Sequence, residues 1–193
     1  MRPRTNAEQY DGQRYLPVSR FGGGMKLRSR SPSIQAKIPD TAIIAAPFGF
    51  VALSATEEFL VGIDFVTEPR GEGIPRNPVL ESAILQLNRY FDDPATRFSL
   101  PLRLIGTDYA RRVWSALIEI SPGNAETYGS LALRLESGPR AVAGACRANA
   151  FPILIPCHRV ISARGLGGYC GRMSGPFLDI KRWLLTHEGR SLD

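Results

Sequence analysis

Thiols and imidazoles are scarce in this chain. Its 193 residues include three cysteines, Cys146, Cys157 and Cys170, and two histidines. No two cysteines form a CxxC pair, so neither a zinc site nor a disulfide scaffold is expected. An odd thiol count suits a reducing interior, cytoplasmic or nuclear. Long apolar runs are also missing. No stretch approaches the ~20 residues needed to span a bilayer, so no membrane role is expected. The N-terminus carries charge without a following apolar segment, so no signal peptide is expected. What is present is an ordinary globular composition, 44% hydrophobic and 22% charged. The length allows one large domain or two small ones.

The net charge of +6 is unevenly spread. Residues 1–39 carry eight Lys/Arg and two Asp/Glu, residues 40–94 three and nine, and residues 95–193 thirteen and seven. An acidic middle therefore lies between two basic blocks. Any one arginine is ordinary solvated surface, but two separate basic blocks point toward a polyanionic partner.

The same boundaries divide the chain by pattern. Residues 1–39 hold Gly22-Gly23-Gly24, many arginines and little apolar periodicity, and read as a basic, flexible tail. Residues 40–94 read as a small α/β domain, a β-sheet with one helix. Thr41–Pro47, Phe50–Ala55 and Phe59–Val66 are β-prone runs, and residues 67–76 are a Gly/Pro-rich loop. Asn77 caps a helix with Pro78 at its first position, and Val79, Leu80, Ala83, Ile84, Leu87, Tyr90 and Phe91 form its apolar stripe. Residues 95–193 read as a mostly helical domain. One helix starts at Thr107 with Val113, Trp114 and Leu117 on one face. A second runs from Glu126-Thr127 to Glu136. A third runs from Arg140 to about Ala148, after Ser137-Gly138-Pro139. The last two have the spacing of a helix-turn-helix. The final one holds Ala141, Val142, Ala143, Gly144 and Ala145 between Arg140 and Arg147. So small a face suits close packing in a core or close approach to a DNA groove, and the flanking arginines favour the groove.

Pro152–Pro156 is a short apolar run that reads as a buried extended segment delivering Cys157. A lone cysteine is most often an inert core thiol. Here a polar cluster follows at once, and a thiol with pKa ~8.5 needs a base or a positive field to ionise near neutrality. His158 and Arg159 supply one of each. Neighbouring side chains rarely face each other, so a water is expected between Cys157 and His158. His158 also needs an acceptor on its other nitrogen. Spacing alone does not say which acid provides it.

Pro156-Cys157-His158-Arg159-Val160 resembles the active-site signature of the O6-alkylguanine-DNA alkyltransferases, also called methylated-DNA–protein-cysteine methyltransferases. The likeness takes in Val113-Trp114, Thr127-Tyr128-Gly129, Arg140-Ala141-Val142, Asn149, Gly168-Tyr169 and Trp183–Gly189. It covers roughly residues 100–190, with residues 47–66 similar to the family's more variable N-terminal domain. The resemblance implies single-turnover DNA repair, in which an alkyl group leaves O6-alkylguanine, with O4-alkylthymine left open, and stays on Cys157. It implies His158 as the base acting through water, Glu188 as its orienting acid, and Asn149 as a stiffener of the turn. Tyr128 would donate a hydrogen bond or a proton to the leaving guanine. Tyr169, Val160 and Cys170 would border the base and alkyl pocket. On the DNA side it implies Arg140 as a finger filling the gap of a flipped base, with Thr127, Ala141 and Arg147 along the minor groove. The partner implied is duplex DNA, bound without regard to sequence, by a monomer whose cooperativity stays open. No metal or organic cofactor is implied.

Three features depart from the family pattern: Tyr109-Ala110 in place of Phe-Gln or similar, Ala150 rather than proline after Asn149, and a longer stretch from Tyr169 to Lys181 that contains Cys170. The last predicts an altered tolerance for bulky alkyl groups. The tail has no cysteine, so it cannot be the zinc-cysteine module fused to some relatives. Three rival readings remain: a lesion-binding protein without transfer, disfavoured by Cys157 itself; a helix-turn-helix regulator, disfavoured by a recognition helix poor in base-reading groups; and a cysteine hydrolase, for which no oxyanion site is marked.

Overall fold

The computed structural model describes residues 15–17, 39–68 and 76–191. Four strands, β1 (Tyr15–Pro17), β2 (Asp40–Ala46), β3 (Gly49–Ala55) and β4 (Leu60–Val66), form an antiparallel sheet in the order β1-β2-β3-β4. The three expected runs are β2, β3 and β4, each displaced by a single residue at one end or both. Strand β1 corrects the reading of residues 1–39 as flexible throughout. Tyr15 faces Ile44, and Pro17 faces Ala42, in register with β2. Three residues of low apolar periodicity gain their order from an unpaired neighbour strand, which local sequence does not show. The rest of that basic tail, and residues 69–75 of the expected loop, lie outside the described residues.

Helix α1 (Pro78–Asp92) packs on β2 and β3. Asn77 Oδ1 accepts from the amides of Val79 and Leu80, the capping geometry expected of asparagine. Its Nδ2 donates to Asp40 Oδ2 and to the Thr56 carbonyl, both at 3.0 Å, tying the helix start to the sheet. Val79, Leu80, Ala83, Ile84, Leu87 and Tyr90 are buried. These positions recur every three to four residues, so one face of α1 closes the core.

Helix α2 (Asp108–Ile118) starts at Thr107, whose Oγ1 accepts from the Ala110 amide. Helix α3 covers Tyr128–Arg134, and α4 covers Pro139–Arg147. Val113, Trp114 and Leu117 of α2 meet Val142, Ala145 and Cys146 of α4 in the core, and Trp114 Nε1 donates to the Ala145 carbonyl at 2.9 Å. Glu126-Thr127 are not helical, as the sequence reading had them. They form strand β5, parallel to β6 (Val160–Ile161). Thr127 Oγ1 then caps α3 through the Ser130 amide. Between α3 and α4 the chain turns at Glu136, with φ 51°, and the Ser137 amide returns to the Ala132 carbonyl. Helix α5 (Pro176–His187) completes the fold.

Residues 151–156 are buried as expected, but they form a tight turn and not an extended segment. The Ile155 amide donates to the Phe151 carbonyl, and Ile153 sits at φ 76°. A β-branched residue in the left-handed region costs of order 1–3 kcal/mol and persists only where its surroundings over-determine it. Flanking prolines gave no sign of that reversal.

Candidate active site

Cys157 begins a single 3-10 turn, Cys157–Arg159, directly after the strained loop. It is 3% exposed at the floor of a cavity of about 370 Å³. The walls come from two directions. Ala143, Cys146 and Arg147 of α4 form one side; Ser162 and residues 167–173 form the other, with the Tyr128 ring between them. All three cysteines therefore reach one cavity.

Asn149 holds both the loop and the sulfur. Its Oδ1 accepts from the Phe151 amide, and its Nδ2 donates to the Ile155 carbonyl at 2.8 Å and to Cys157 Sγ at 3.2 Å. Burial pushes the Cys157 thiol up, while the Asn149 hydrogen bond and the charge of Lys181 pull it down. An N–H aimed at sulfur favours the thiolate over the thiol.

His158 is fully buried. Its Nε2 lies 2.9 Å from Glu188 Oε1, while Nδ1 has no hydrogen-bond partner among the described residues. Burial lowers its pKa, so the ring is neutral at physiological pH despite Glu188. A carboxylate accepts only, so Nε2 carries the proton and Nδ1 keeps a free lone pair. That is a base with one open acceptor. No direct Cys157–His158 bond forms.

Glu188 caps the C-terminus of α5. Arg159 grips it through Nε to Oε2 at 2.9 Å and Nη2 to Oε1 at 2.8 Å, and also donates to the Ile120 carbonyl. Burial alone would raise the Glu188 carboxyl, but the His158 and Arg159 hydrogen bonds outweigh it and hold the group at about 2. Arg159 is thereby committed to Glu188. The positive field the sequence reading assigned it toward the thiol comes from Lys181.

Lys181 was missed. It is fully buried on α5, and its Nζ donates to the carbonyls of Val160, Leu166 and Gly168 at 2.6, 2.8 and 2.9 Å. Burial lowers it to about 8, with the three cysteines opposing that shift. It remains largely a cation at neutral pH, and it pins the loop that walls the cavity. The available signal was a charged residue on an apolar helix face, between Phe177, Ile180 and Leu184.

The remaining residues sort by position. Tyr128 donates to the Gly168 carbonyl at 3.3 Å, and burial pushes its phenol well up, so it stays protonated. Tyr169 is buried between Phe65 and His158, and its hydroxyl has no partner among the described residues. Cys170, with φ 46°, and Arg147 border the cavity. Gly168 fits there because a Cβ would stand 2.9 Å from the Arg172 carbonyl. Val160 does not line the cavity: it is buried, its amide donates to the Cys157 carbonyl and its own carbonyl is taken by Lys181. Arg140 and Ala141 are exposed at the start of α4, beside the exposed Ala143 and Gly144. Thr127 stands at the start of α3 with its hydroxyl engaged in the cap. Among the described residues no cluster of ligating side chains suits a metal, and no helix is long and apolar enough to cross a membrane.

The arrangement defines a class: a buried thiol, a neutral imidazole ordered by a clamped carboxylate, and a small cavity beside an exposed helix pair. Residues 108–190 match the family described as 6-O-methylguanine DNA methyltransferase, DNA binding domain, and residues 41–104 match its ribonuclease-like domain. The methylated-DNA–protein-cysteine methyltransferase of Methanosarcina acetivorans is 37% identical over 156 residues, covering 77% of this chain and 97% of that one. That of Haemophilus influenzae is 36% identical over 152 residues, covering 74% and 82%. The crystal structure of Mycobacterium tuberculosis O6-methylguanine methyltransferase superposes with a TM-score of 0.64 at 34% identity, covering 77% and 92%. A crystal structure of the M. tuberculosis protein in complex with DNA gives 0.62, also at 34%, covering 76% and 90%. The chain belongs to the 6-O-methylguanine DNA methyltransferase family.

Proposed function

We propose that this protein repairs DNA by moving an alkyl group from O6-alkylguanine to Sγ of Cys157, once per molecule. The observation that carries the reading is the unengaged Nδ1 of His158, whose other nitrogen is fixed on Glu188, one residue from a cavity-floor thiol that accepts a hydrogen bond from Asn149.

The chemistry follows from those positions. The thiol proton passes through a water to His158 Nδ1. The thiolate attacks the alkyl carbon in line, and the C–O6 bond breaks with its electron pair on the guanine. Tyr128, protonated and at the cavity wall, gives that anion a proton, and the proton held by the His158 imidazolium restores the phenol. The product thioether has no group that water can expel, so the protein is consumed. No step calls for a metal or an organic cofactor.

An alkyl carbon inside a duplex is out of reach of a sulfur at a cavity floor, so the nucleotide must turn out of the stack. Arg140, at the exposed start of α4, fills the gap and offsets part of the unstacking cost of a few kcal/mol. The exposed Ala141, Ala143 and Gly144 let the helix, the second of a helix-turn-helix, approach the minor groove, with Thr127 and Arg147 flanking it. Tyr169 and Cys170 border the flipped base. Phosphate contacts, indifferent to sequence, dominate affinity. Every group named comes from one chain, so a monomer suffices.

The test is the mass of the intact protein after incubation with duplex DNA containing O6-methylguanine. One added methyl on the peptide bearing Cys157 is expected. Unchanged mass in a protein that binds the duplex would overturn transfer in favour of lesion binding alone.

A further inference from the structure

Glu188 receives a hydrogen bond from a residue that belongs to neither the cysteine loop nor α5. Tyr90, on the last turn of α1, donates its hydroxyl to Glu188 Oε1 at 2.7 Å, across 98 positions of sequence. The same residue's carbonyl lies 2.7 Å from His187 Nε2 and accepts from it. Tyr90 thus holds the end of α5 at two consecutive residues, once by backbone and once by side chain. It is 1% exposed, wedged among Phe91, Phe98 and His187. Such packing fixes where its hydroxyl points.

Three features make that hydroxyl consequential. Glu188 is an anion at a helix C-terminus, where the macrodipole disfavours negative charge. It is also nearly excluded from water, so every donor it accepts replaces lost hydration. Finally, Oε1, the oxygen that Tyr90 reaches, is the one that orders His158. A hydrogen bond there both aims the carboxylate and draws charge from the oxygen that faces the imidazole.

We propose that Tyr90 is a positioning residue for alkyl transfer, through which the N-terminal sheet unit orients Glu188 and thereby His158. The inference rests on the alkyl-transfer reading given above. It gives the first unit a chemical task although none of its described residues lines the thiol's cavity. The phenol itself gives up no proton: burial and the neighbouring Glu188 both push its pKa far up, so it acts as a fixed donor.

The test is Tyr90→Phe, which keeps the ring and its packing and removes one oxygen. Three quantities are measured on the full chain: the single-turnover transfer rate at saturating O6-methylguanine duplex, the affinity for that duplex, and the imidazole nitrogen signals without DNA. The chain has two histidines, so the spectrum separates His158 from His187. The rate is expected to fall about tenfold, in keeping with loss of a hydrogen bond to a charged group, with affinity unchanged. The His158 signals are expected to move, and those of His187, held by the Tyr90 backbone, to stay. An unchanged rate and an unmoved His158 in the folded variant would overturn the proposal, as would equal movement of both histidines, which marks general repacking. Wild-type protein that gains no alkyl mass overturns the transfer reading instead, and the nitrogen signals still decide whether Tyr90 governs His158.

Discussion

The two sides of Cys157 are built on opposite plans. On one side, Glu188 accepts four hydrogen bonds from Tyr90, His158 and Arg159, and each group has a fixed, buried address. On the other, the wall from Gly165 to Gly175 is shaped by backbone: four glycines and Cys170 sit at positive φ, the Tyr169 hydroxyl goes unpartnered among the described residues, and Lys181 secures the segment through carbonyls. Proton handling tolerates no misplacement, so its side is over-determined by charge-assisted contacts. Admission of an alkyl group depends on volume, which a loop can change without disturbing the relay. Relay substitutions should therefore cost rate and stability together, and wall substitutions should change which lesion fits.

The largest expected effect is at the atom the two sides share. Cys157→Ala should abolish transfer, read as zero added mass, while binding of an O6-methylguanine duplex persists. Lost binding in a folded variant would contradict this division of labour. Next comes Glu188→Gln. It leaves the Arg159 guanidinium buried without its counter-ion, so urea unfolding should show a loss of about 3 kcal/mol, and transfer should slow by a larger factor than in Tyr90→Phe. The acid also carries a pH signature. Its folded pKa of about 2 lies below the ordinary carboxylate value of ~4.3, so its contribution is complete above ~4.3 and disappears as pH falls toward 2. Stability of the wild type should drop across that window, and that of Glu188→Gln should drop less. Parallel curves would remove Glu188 as the group responsible.

Legibility in the sequence divides along the same line. Runs of β-prone residues marked β2, β3 and β4, a period-3.6 stripe marked α1, and Asn77-Pro78 marked its start, because each is a local consequence of residue preference, burial or capping. The pentapeptide around Cys157 marked the two residues proposed as nucleophile and base. What stayed hidden depends on pairing across the chain. Tyr15–Pro17 is ordered by β2, and Glu126-Thr127 by Val160-Ile161. The run Pro152–Pro156 reverses direction through a strained Ile153 that only its surroundings impose. Tyr90 read as one more apolar-stripe aromatic, since nothing local reveals that its hydroxyl meets residue 188. Lys181 was overlooked although it is a cation on an apolar face, and its carbonyl partners, Val160 in β6 and Leu166 and Gly168 beyond it, are not marked by any local pattern.

The exposed helix allows a sharper separation. Arg140 stands clear of the cavity at the start of α4. Arg140→Ala should slow transfer from duplex O6-methylguanine by at least tenfold, the scale of a lost gap-filling contact against an unstacking cost of a few kcal/mol. Reaction with free O6-benzylguanine, which needs no flipping, should change little. Equal loss on both substrates would mean that Arg140 supports the fold of the site and not base extrusion.

The smallest effect belongs to the wall. Cys170 borders the cavity at φ 46°, a conformation that glycine adopts without penalty. Cys170→Gly should therefore fold at least as well as the wild type, by up to about 1 kcal/mol in urea unfolding, and should enlarge the space above the Cys157 sulfur. With the relay untouched, the methyl rate should hold. The benzyl rate should rise, by less than about tenfold, since added hydrophobic volume discriminates weakly. A methyl-to-benzyl ratio that is unchanged, both in this variant and after shortening residues 171–175, would show that alkyl size is set by α4 and Tyr128 and not by the loop.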